Sequence, residues 1–221
     1  MKKIKAIIFD FDGTLVDTDK FHFNCWNKSL STFNVKLEYD YYLNHLAGVP
    51  SILNAETIIE EYGLPISVKD LADLKDENTK NLLKTETINF MPNALEVLEY
   101  FRKENMPMFL VTGSPRTEVD CILDRANIKG YFKFSITSSD VEKSKPDPEP
   151  YLTAIVNCGF SQENILVFED TKNGILSAKS ANLKCFAIQA NADLQKRLNE
   201  ADQIFENFDH AINYLKKRNL I

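Results

Sequence analysis

The chain has 221 residues, 44% hydrophobic and 26% charged, and its 26 Lys and Arg against 32 Asp and Glu leave a net charge of −6. That balance suits a globular protein with a sizeable core rather than a disordered chain, and the absence of Lys/Arg clusters argues against the localised basic surface that nucleic-acid binding needs. The length is generous for one compact domain and short for two, so a core domain with an inserted smaller unit fits best.

The opening Met1-Lys2-Lys3-Ile4-Lys5 has the basic character of a secretory leader, but the apolar run after it stops at Asp10, too soon for a leader's apolar segment. No stretch is long enough to cross a membrane. Cys25, Cys121, Cys158 and Cys185 stand singly with no metal-type spacing, as reduced core thiols of a cytoplasmic protein would.

The first predicted element is the run Ile4, Ala6, Ile7, Ile8 and Phe9, a short buried strand that ends on Asp10-Phe11-Asp12-Gly13-Thr14. On an extended backbone residues 10 and 12 share a side. Ligands of open α/β sheets sit beyond the carboxyl ends of the strands, so both acids are expected to face one crevice. Like charges so placed need a cation between them or a proton on one. Either condition serves chemistry, since a metal-bound carboxylate can be a nucleophile and a protonated one a general acid. A solvated Asp-X-Asp-Gly turn accounts for these five residues equally well.

Residues 17 to 88 contain no convincing strand and read as helices. Phe21, Trp26, Leu30 and Phe33 form one apolar face, Ile52, Ala55, Ile58 and Ile59 a second, and Leu71, Leu74, Leu82 and Leu83 a third. Gly48-Val49-Pro50 and Gly63-Leu64-Pro65 punctuate them, and Ser67 is placed to cap the third helix. From Phe90 onward strands and helices alternate. Pro92 reads as a first-turn proline before the helical face Ala94, Leu95, Val97, Leu98 and Phe101. Strands are predicted at Met108 to Val111, Phe134 to Thr137, Ile165 to Phe168 and Cys185 to Ile188, with helices over 116–126, 149–158 and 172–181 between them. A short strand at Gln203 to Phe205 and a helix over about 209–218 close the chain. The expected fold is α/β: a Rossmann-like, doubly wound parallel sheet from residues 1–16 and 89–221, with an all-helical cap at 17–88 inserted after the first strand.

Three later strand ends also carry polar residues. Thr112-Gly113-Ser114-Pro115-Arg116 follows Phe109-Leu110-Val111 and makes a natural anion cradle at a helix start, or else a plain turn with Ser114 as the helix cap. Ser144-Lys145-Pro146-Asp147-Pro148 sets a lysine between prolines, a compact charge suited to phosphate. Glu169-Asp170-Thr171 follows Ile165 to Phe168, with Asn173-Gly174 in the opening of the next helix. This second acidic pair raises the carboxylates at the crevice to four, a cluster that calls for a hard cation such as Mg²⁺.

In this order and at these positions, the four motifs resemble those of the haloacid dehalogenase-like hydrolase superfamily, across the whole core. The resemblance implies that Asp10 is the nucleophile and Asp12 the general acid and base. It also implies that Thr112 and Lys145 hold the transferring phosphoryl oxygens and that Gly113, Ser114 and Arg116 bind substrate. Mg²⁺ would bind Asp10, Asp12 through its backbone carbonyl, and Asp170, with Glu169 close by or through water. The helical insertion is similar to that of the small-cap subgroup containing β-phosphoglucomutase, phosphoglycolate phosphatase and sugar-phosphate phosphatases. It implies substrate contacts from His22, Trp26, Gly48, Ser51 and Lys75. Mutases of this type carry a lysine and an arginine where this chain has Ala47 and Ser51, so the resemblance favours a phosphatase acting on a small sugar or polyol phosphate, with a hexose-phosphate mutase as the alternative. A monomeric, cytoplasmic enzyme without nucleic-acid or membrane partners is expected.

Overall fold

A computed structural model describes residues 2–221, and by its internal contacts the chain divides into two compact units, Met1–Val16 with Phe90–Ile221, and Asp17–Asn89. Within the first unit, β1 (Ala6–Phe9) lies at the centre of a six-stranded sheet. The sheet's other strands are β4 (Met108–Val111), β5 (Phe132–Ile136), β6 (Ile165–Glu169), β7 (Lys184–Ile188) and β8 (Gln203–Phe205), in the order β5-β4-β1-β6-β7-β8. Every pairing is parallel, with Ile8 opposite Phe109 on one side and Val167 on the other. The chain builds outward from β1 through β4 and β5, then returns to β1's other edge as β6. That reversal opens a crevice at the carboxyl end of β1.

Alternation along the strands explains why both faces are covered. Ala6, Ile8, Val167, Cys185 and Ala187 belong to an aliphatic core that also takes in Tyr151 and Ala154 of α7 (Glu149–Cys158) and Ile175 and Ala178 of α8 (Lys172–Ser180). The intervening residues Phe9, Phe168 and Phe186 point the other way, as period-2 strands require. There Phe9 and Phe168 meet Phe101 of α5 (Ala94–Lys103) and Phe208 of α10 (Phe208–Lys217), two helices in contact, while Phe186 meets Phe168 and Tyr214. Phe9 stacks on Phe168 with centroids 5.4 Å apart, and Phe208 meets Phe168 edge-on at 5.4 Å. Helix α6 (Arg116–Arg125) and the short α9 (Ala192–Gln195) complete this unit.

The second unit holds α1 (Asp19–Leu30), α2 (Tyr39–His45), α3 (Ser51–Tyr62) and α4 (Val68–Leu82), packed around Trp26, Leu30, Tyr42, Ala55, Ile58 and Leu71. The Ser67 hydroxyl accepts the Asp70 N–H at 3.1 Å and caps α4. Two-residue strands β2 (Val16–Asp17) and β3 (Asn89–Phe90) pair with each other at the boundary of the units. They are too short to leave a periodic signal in the sequence.

Three local expectations are corrected. Pro92 lies in a turn rather than in a first helical turn, because Asn93 takes the left-handed conformation (φ 62°) and α5 begins at Ala94. Ile52 is 47% exposed, and the buried face of α3 is Asn54, Ala55 and Ile58. Strand β5 starts at Phe132, whose side chain is buried and whose pairing with Met108 precedes an irregularity in register.

Phe168 touches four aromatic neighbours and has no solvent exposure. Phe168→Ala is expected to destabilise the protein by about 3–5 kcal/mol, read from urea unfolding followed by circular dichroism. A loss under about 1 kcal/mol would contradict its place at the centre of this face.

Candidate active site

The ends of β1, β4 and β6 carry the polar groups that their buried strands exclude. Asp10 follows β1 directly, and its N–H donates to the Phe168 carbonyl at 2.9 Å, which extends the β1–β6 ladder and fixes the backbone from which the carboxylate projects. The chain then turns back on itself, with the N–H groups of Leu15 and Val16 both donating to the Phe11 carbonyl, at 2.8 and 3.0 Å. Gly13 sits in this turn at φ +76°, and a β-carbon there would collide with the Asp170 carboxylate. Only glycine permits both the backbone conformation and the close approach. The buried Thr14 hydroxyl donates to Asp170 Oδ1 at 3.0 Å and holds that carboxylate from the same turn.

Lys145 reaches this point from the loop before α7, through a cis Lys145–Pro146 peptide. Its ammonium donates to Asp10 Oδ1 at 2.6 Å, Glu169 Oε1 at 2.5 Å and the Val111 carbonyl at the end of β4 at 3.0 Å. All three of its protons are thereby placed. Burial alone would lower the lysine's pKa, but the charges of Asp10 and Glu169 outweigh it and hold the group protonated, above its ordinary value. Burial, reinforced by Glu169, pushes the Asp10 carboxyl up to about 7 against the pull of Lys145. Asp170 is likewise raised well above its usual range by burial, then by Asp10 and Glu169.

On an extended strand Asp10 and Asp12 would share a side, but the strand ends at Phe9 and the two carboxylates take different partners. Asp12 Oδ2 accepts from the Ser114 hydroxyl at 2.7 Å and from the Thr112 hydroxyl at 3.0 Å. Thr112 in turn accepts the Ser114 N–H at 3.0 Å, so the segment after β4 closes on Asp12. Ser114 is therefore not the helix cap: α6 starts at Arg116 after Pro115. Gly113 lies exposed between them. Arg116, expected to meet substrate, turns to the end of β5 instead. Its guanidinium donates to the Ser135 hydroxyl at 2.5 Å and the Ser135 carbonyl at 2.8 Å and pairs with Asp140, which leaves it committed to the protein.

Oxygens of Asp10, Glu169 and Asp170 lie within 4.8 Å of one another. Three carboxylates against the one Lys145 ammonium leave two negative charges in excess in a buried setting when all are ionised, and burial first, then their mutual repulsion, raises the Asp10 and Asp170 pKa values. An all-oxygen set with that excess fits a hard divalent cation.

Five expected substrate residues belong to the second unit. His22 lies on α1, its ring edge-on to Phe21 at 5.4 Å. Gly48 is exposed in the turn before α3, and Ser51 is the first residue of that helix. Lys75 is buried along α4 with its ammonium 3.9 Å from the Asp76 carboxylate. Trp26, expected to face a ligand, is packed inside the unit's own apolar cluster and is 1% exposed. Its periodicity marked a core face, and burying so large a ring outweighs presenting it.

Thr14, quoted in the first motif but given no role there, and Tyr151, which no motif singled out, carry parts of this arrangement. Tyr151 lies on the buried face of α7, and its hydroxyl donates to Glu169 Oε1 at 2.8 Å. The available signal was weak: a tyrosine on an apolar helix face needs a partner for its hydroxyl.

A family model described as haloacid dehalogenase-like hydrolase matches residues 7–188. Over 181 residues the chain is 28% identical to the phosphorylated carbohydrates phosphatase of Thermotoga maritima, covering 82% of this chain and 83% of that one. It is 27% identical over 183 residues to the fructose-1-phosphate phosphatase of Escherichia coli, covering 82% and 95%. Among solved structures, CbbY from Rhodobacter sphaeroides in complex with phosphate superposes with a TM-score of 0.81 at 20% identity, over 93% of this chain and 95% of that one, a likeness of fold.

A β-carbon at Gly174, in the first turn of α8, would run into the Glu169 carboxylate. Gly174→Ala is expected to lower stability by about 1–3 kcal/mol through overpacking, measured by urea denaturation. An unchanged midpoint would mean that Glu169 is not confined as described.

Proposed function

Because this chain belongs to the haloacid dehalogenase-like hydrolases, we propose that it is a Mg²⁺-dependent phosphatase that takes the phosphoryl group of a small sugar or polyol phosphate onto Asp10 and hands it to water. The observation that carries the proposal is the buried Lys145 ammonium hydrogen-bonded to Asp10, beside carboxylates that exceed it by two charges. Phosphoryl transfer depends on positioning and charge neutralisation more than on covalent chemistry. The names of relatives that act on phosphorylated carbohydrates and on fructose 1-phosphate support the substrate class.

In the first step an Asp10 oxygen attacks phosphorus and the ester P–O bond breaks, while Asp12 in its acid form gives its proton to the departing alcohol oxygen. In the second, the Asp12 carboxylate takes a proton from water, the water oxygen attacks phosphorus, and the bond to Asp10 breaks to release phosphate. The Ser114 hydroxyl keeps Asp12 oriented through both transfers, which frees the Thr112 hydroxyl to turn from Asp12 to the phosphoryl oxygens. Lys145 neutralises the phosphoryl oxygens, and the Thr112–Gly113 segment that follows β4 holds them. Asp10, Asp170 and the Asp12 carbonyl would hold Mg²⁺, which supplies the charge neutralisation that lets an anionic ester approach an anionic nucleophile. Residues 17–88 act as the cap that selects the ester through His22, Gly48, Ser51 and Lys75. With Ala47 and Ser51 uncharged in that unit, and Arg116 of the first unit committed to Asp140, the chain lacks the lysine and arginine pair a mutase would use to grip a second phosphate, which favours hydrolysis over mutase activity.

The test is phosphate release from a panel of sugar and polyol phosphates. Activity is expected to vanish in EDTA, return with Mg²⁺, and fall by about 1,000-fold or more in Asp10→Asn. Hydrolysis of no ester, or an Asp10→Asn variant as fast as wild type, would sink the proposal. Isomerisation of a hexose phosphate without release of phosphate would install the mutase in its place.

A further inference from the structure

Glu169 has no solvent exposure, and its carboxylate is surrounded by donors. Oε1 accepts from Lys145 at 2.5 Å and from the Tyr151 hydroxyl at 2.8 Å. Oε2 accepts from the N–H of Asp170 at 3.2 Å, the N–H of Thr171 at 3.4 Å and the Thr171 hydroxyl at 3.2 Å. A carboxylate has about four lone-pair directions, so these are all filled, and the α8 backbone at Gly174 closes the remaining side. Three of the donors come from Glu169's own loop and one from the lysine it holds. Tyr151 alone reaches it from a helix.

The same tyrosine meets the lysine directly. The Lys145 ammonium lies 5.1 Å from the centroid of the Tyr151 ring, on its face. A lysine stem is flexible, so its acceptors and walls decide where the ammonium rests. Those acceptors are Asp10, Val111 and Glu169, and of the three only Glu169 is itself a movable side chain tied down by another element.

We propose that Tyr151 is a positioning residue which, by fixing the Glu169 carboxylate, keeps the Lys145 ammonium on Asp10. The inference rests on the phosphatase reading of this site. Without the hydroxyl, Oε2 keeps its three loop donors but Oε1 keeps only Lys145, so Oε1 loses the one contact that holds it against the pull of the ammonium, and the pair can shift together away from Asp10. Packing alone does not need the hydroxyl, since phenylalanine would fill the same space and keep the ring face over the ammonium.

The test compares wild type with Tyr151→Phe, Glu169→Gln, the double variant and Asp10→Asn by steady-state phosphate release at saturating Mg²⁺, with circular dichroism to establish folding. Tyr151→Phe is expected to lower kcat about 10-fold with KM changed less than about twofold, and the double variant to match Glu169→Gln, because both changes act on one chain of contacts. A Tyr151→Phe kcat within about twofold of wild type, or single effects that multiply in the double variant, overturns the proposal. If Asp10→Asn keeps activity, the reading of the site falls and the role of Tyr151 with it. If Asp10→Asn is inactive while Tyr151→Phe is normal, only the role of Tyr151 falls. A readout without turnover is the ¹⁵N resonance of the Lys145 ammonium, identified by its loss in Lys145→Arg. Replacing Tyr151 with a fluorotyrosine keeps its shape but changes donor strength, and the resonance is expected to move; an unmoved resonance overturns the proposal.

Discussion

A lysine ammonium buried between two carboxylates is the interaction on which the first unit's arrangement turns. Lys145, Asp10 and Glu169 come from three segments, joined at 2.5 and 2.6 Å. Buried ion pairs seldom stabilise a fold on balance, because desolvation offsets much of the attraction, yet removing one partner leaves a stranded charge that costs about 3–5 kcal/mol. Such a cluster is best understood as chemistry that the fold holds in place. Burial, and then the repulsion among three carboxylates confronting one ammonium, raises the pKa values of Asp10 and Asp170.

The sheet supplies the rigidity this cluster demands. Its central strand β1 has aliphatic side chains on one face and Phe9 on the other, each buried under helices. Close-packed interiors of this kind have few alternative arrangements. Backbone groups then do much of the positioning: the Phe168 carbonyl takes the Asp10 N–H, and the Val111 carbonyl takes the Lys145 ammonium. Two glycines make room where the motifs converge. Gly13 lets the turn after β1 approach Asp170, and Gly174 lets α8 start against Glu169.

Much of this was legible in the chain because strand ends punctuate it. Each of the short apolar runs that became β1, β4 and β6 stops at a polar cluster, and buried strands in a parallel sheet must expel such residues to their ends. The sequence could not say how those clusters would share partners. Asp10 and Asp12 are two residues apart, yet one carboxylate meets Lys145 and the other meets Ser114 and Thr112. Arg116 stood next to the cradle in sequence but found Asp140, because a guanidinium goes to a carboxylate within reach. Trp26 had the spacing of a face, and spacing does not tell a face that binds from a face that packs.

Local physics along the chain therefore determined the α/β alternation, the helical insertion, and the residue types gathered at the strand ends, since burial periodicity and turn chemistry act over a few residues. Only the tertiary structure decided which carboxylate pairs with Lys145, that Tyr151 meets Glu169, and that Gly174 must lack a side chain. Those outcomes depend on distances between segments more than a hundred residues apart in the case of Asp10 and Lys145. Such distances are set by how helices and strands pack, and no stretch of sequence read by itself carries them.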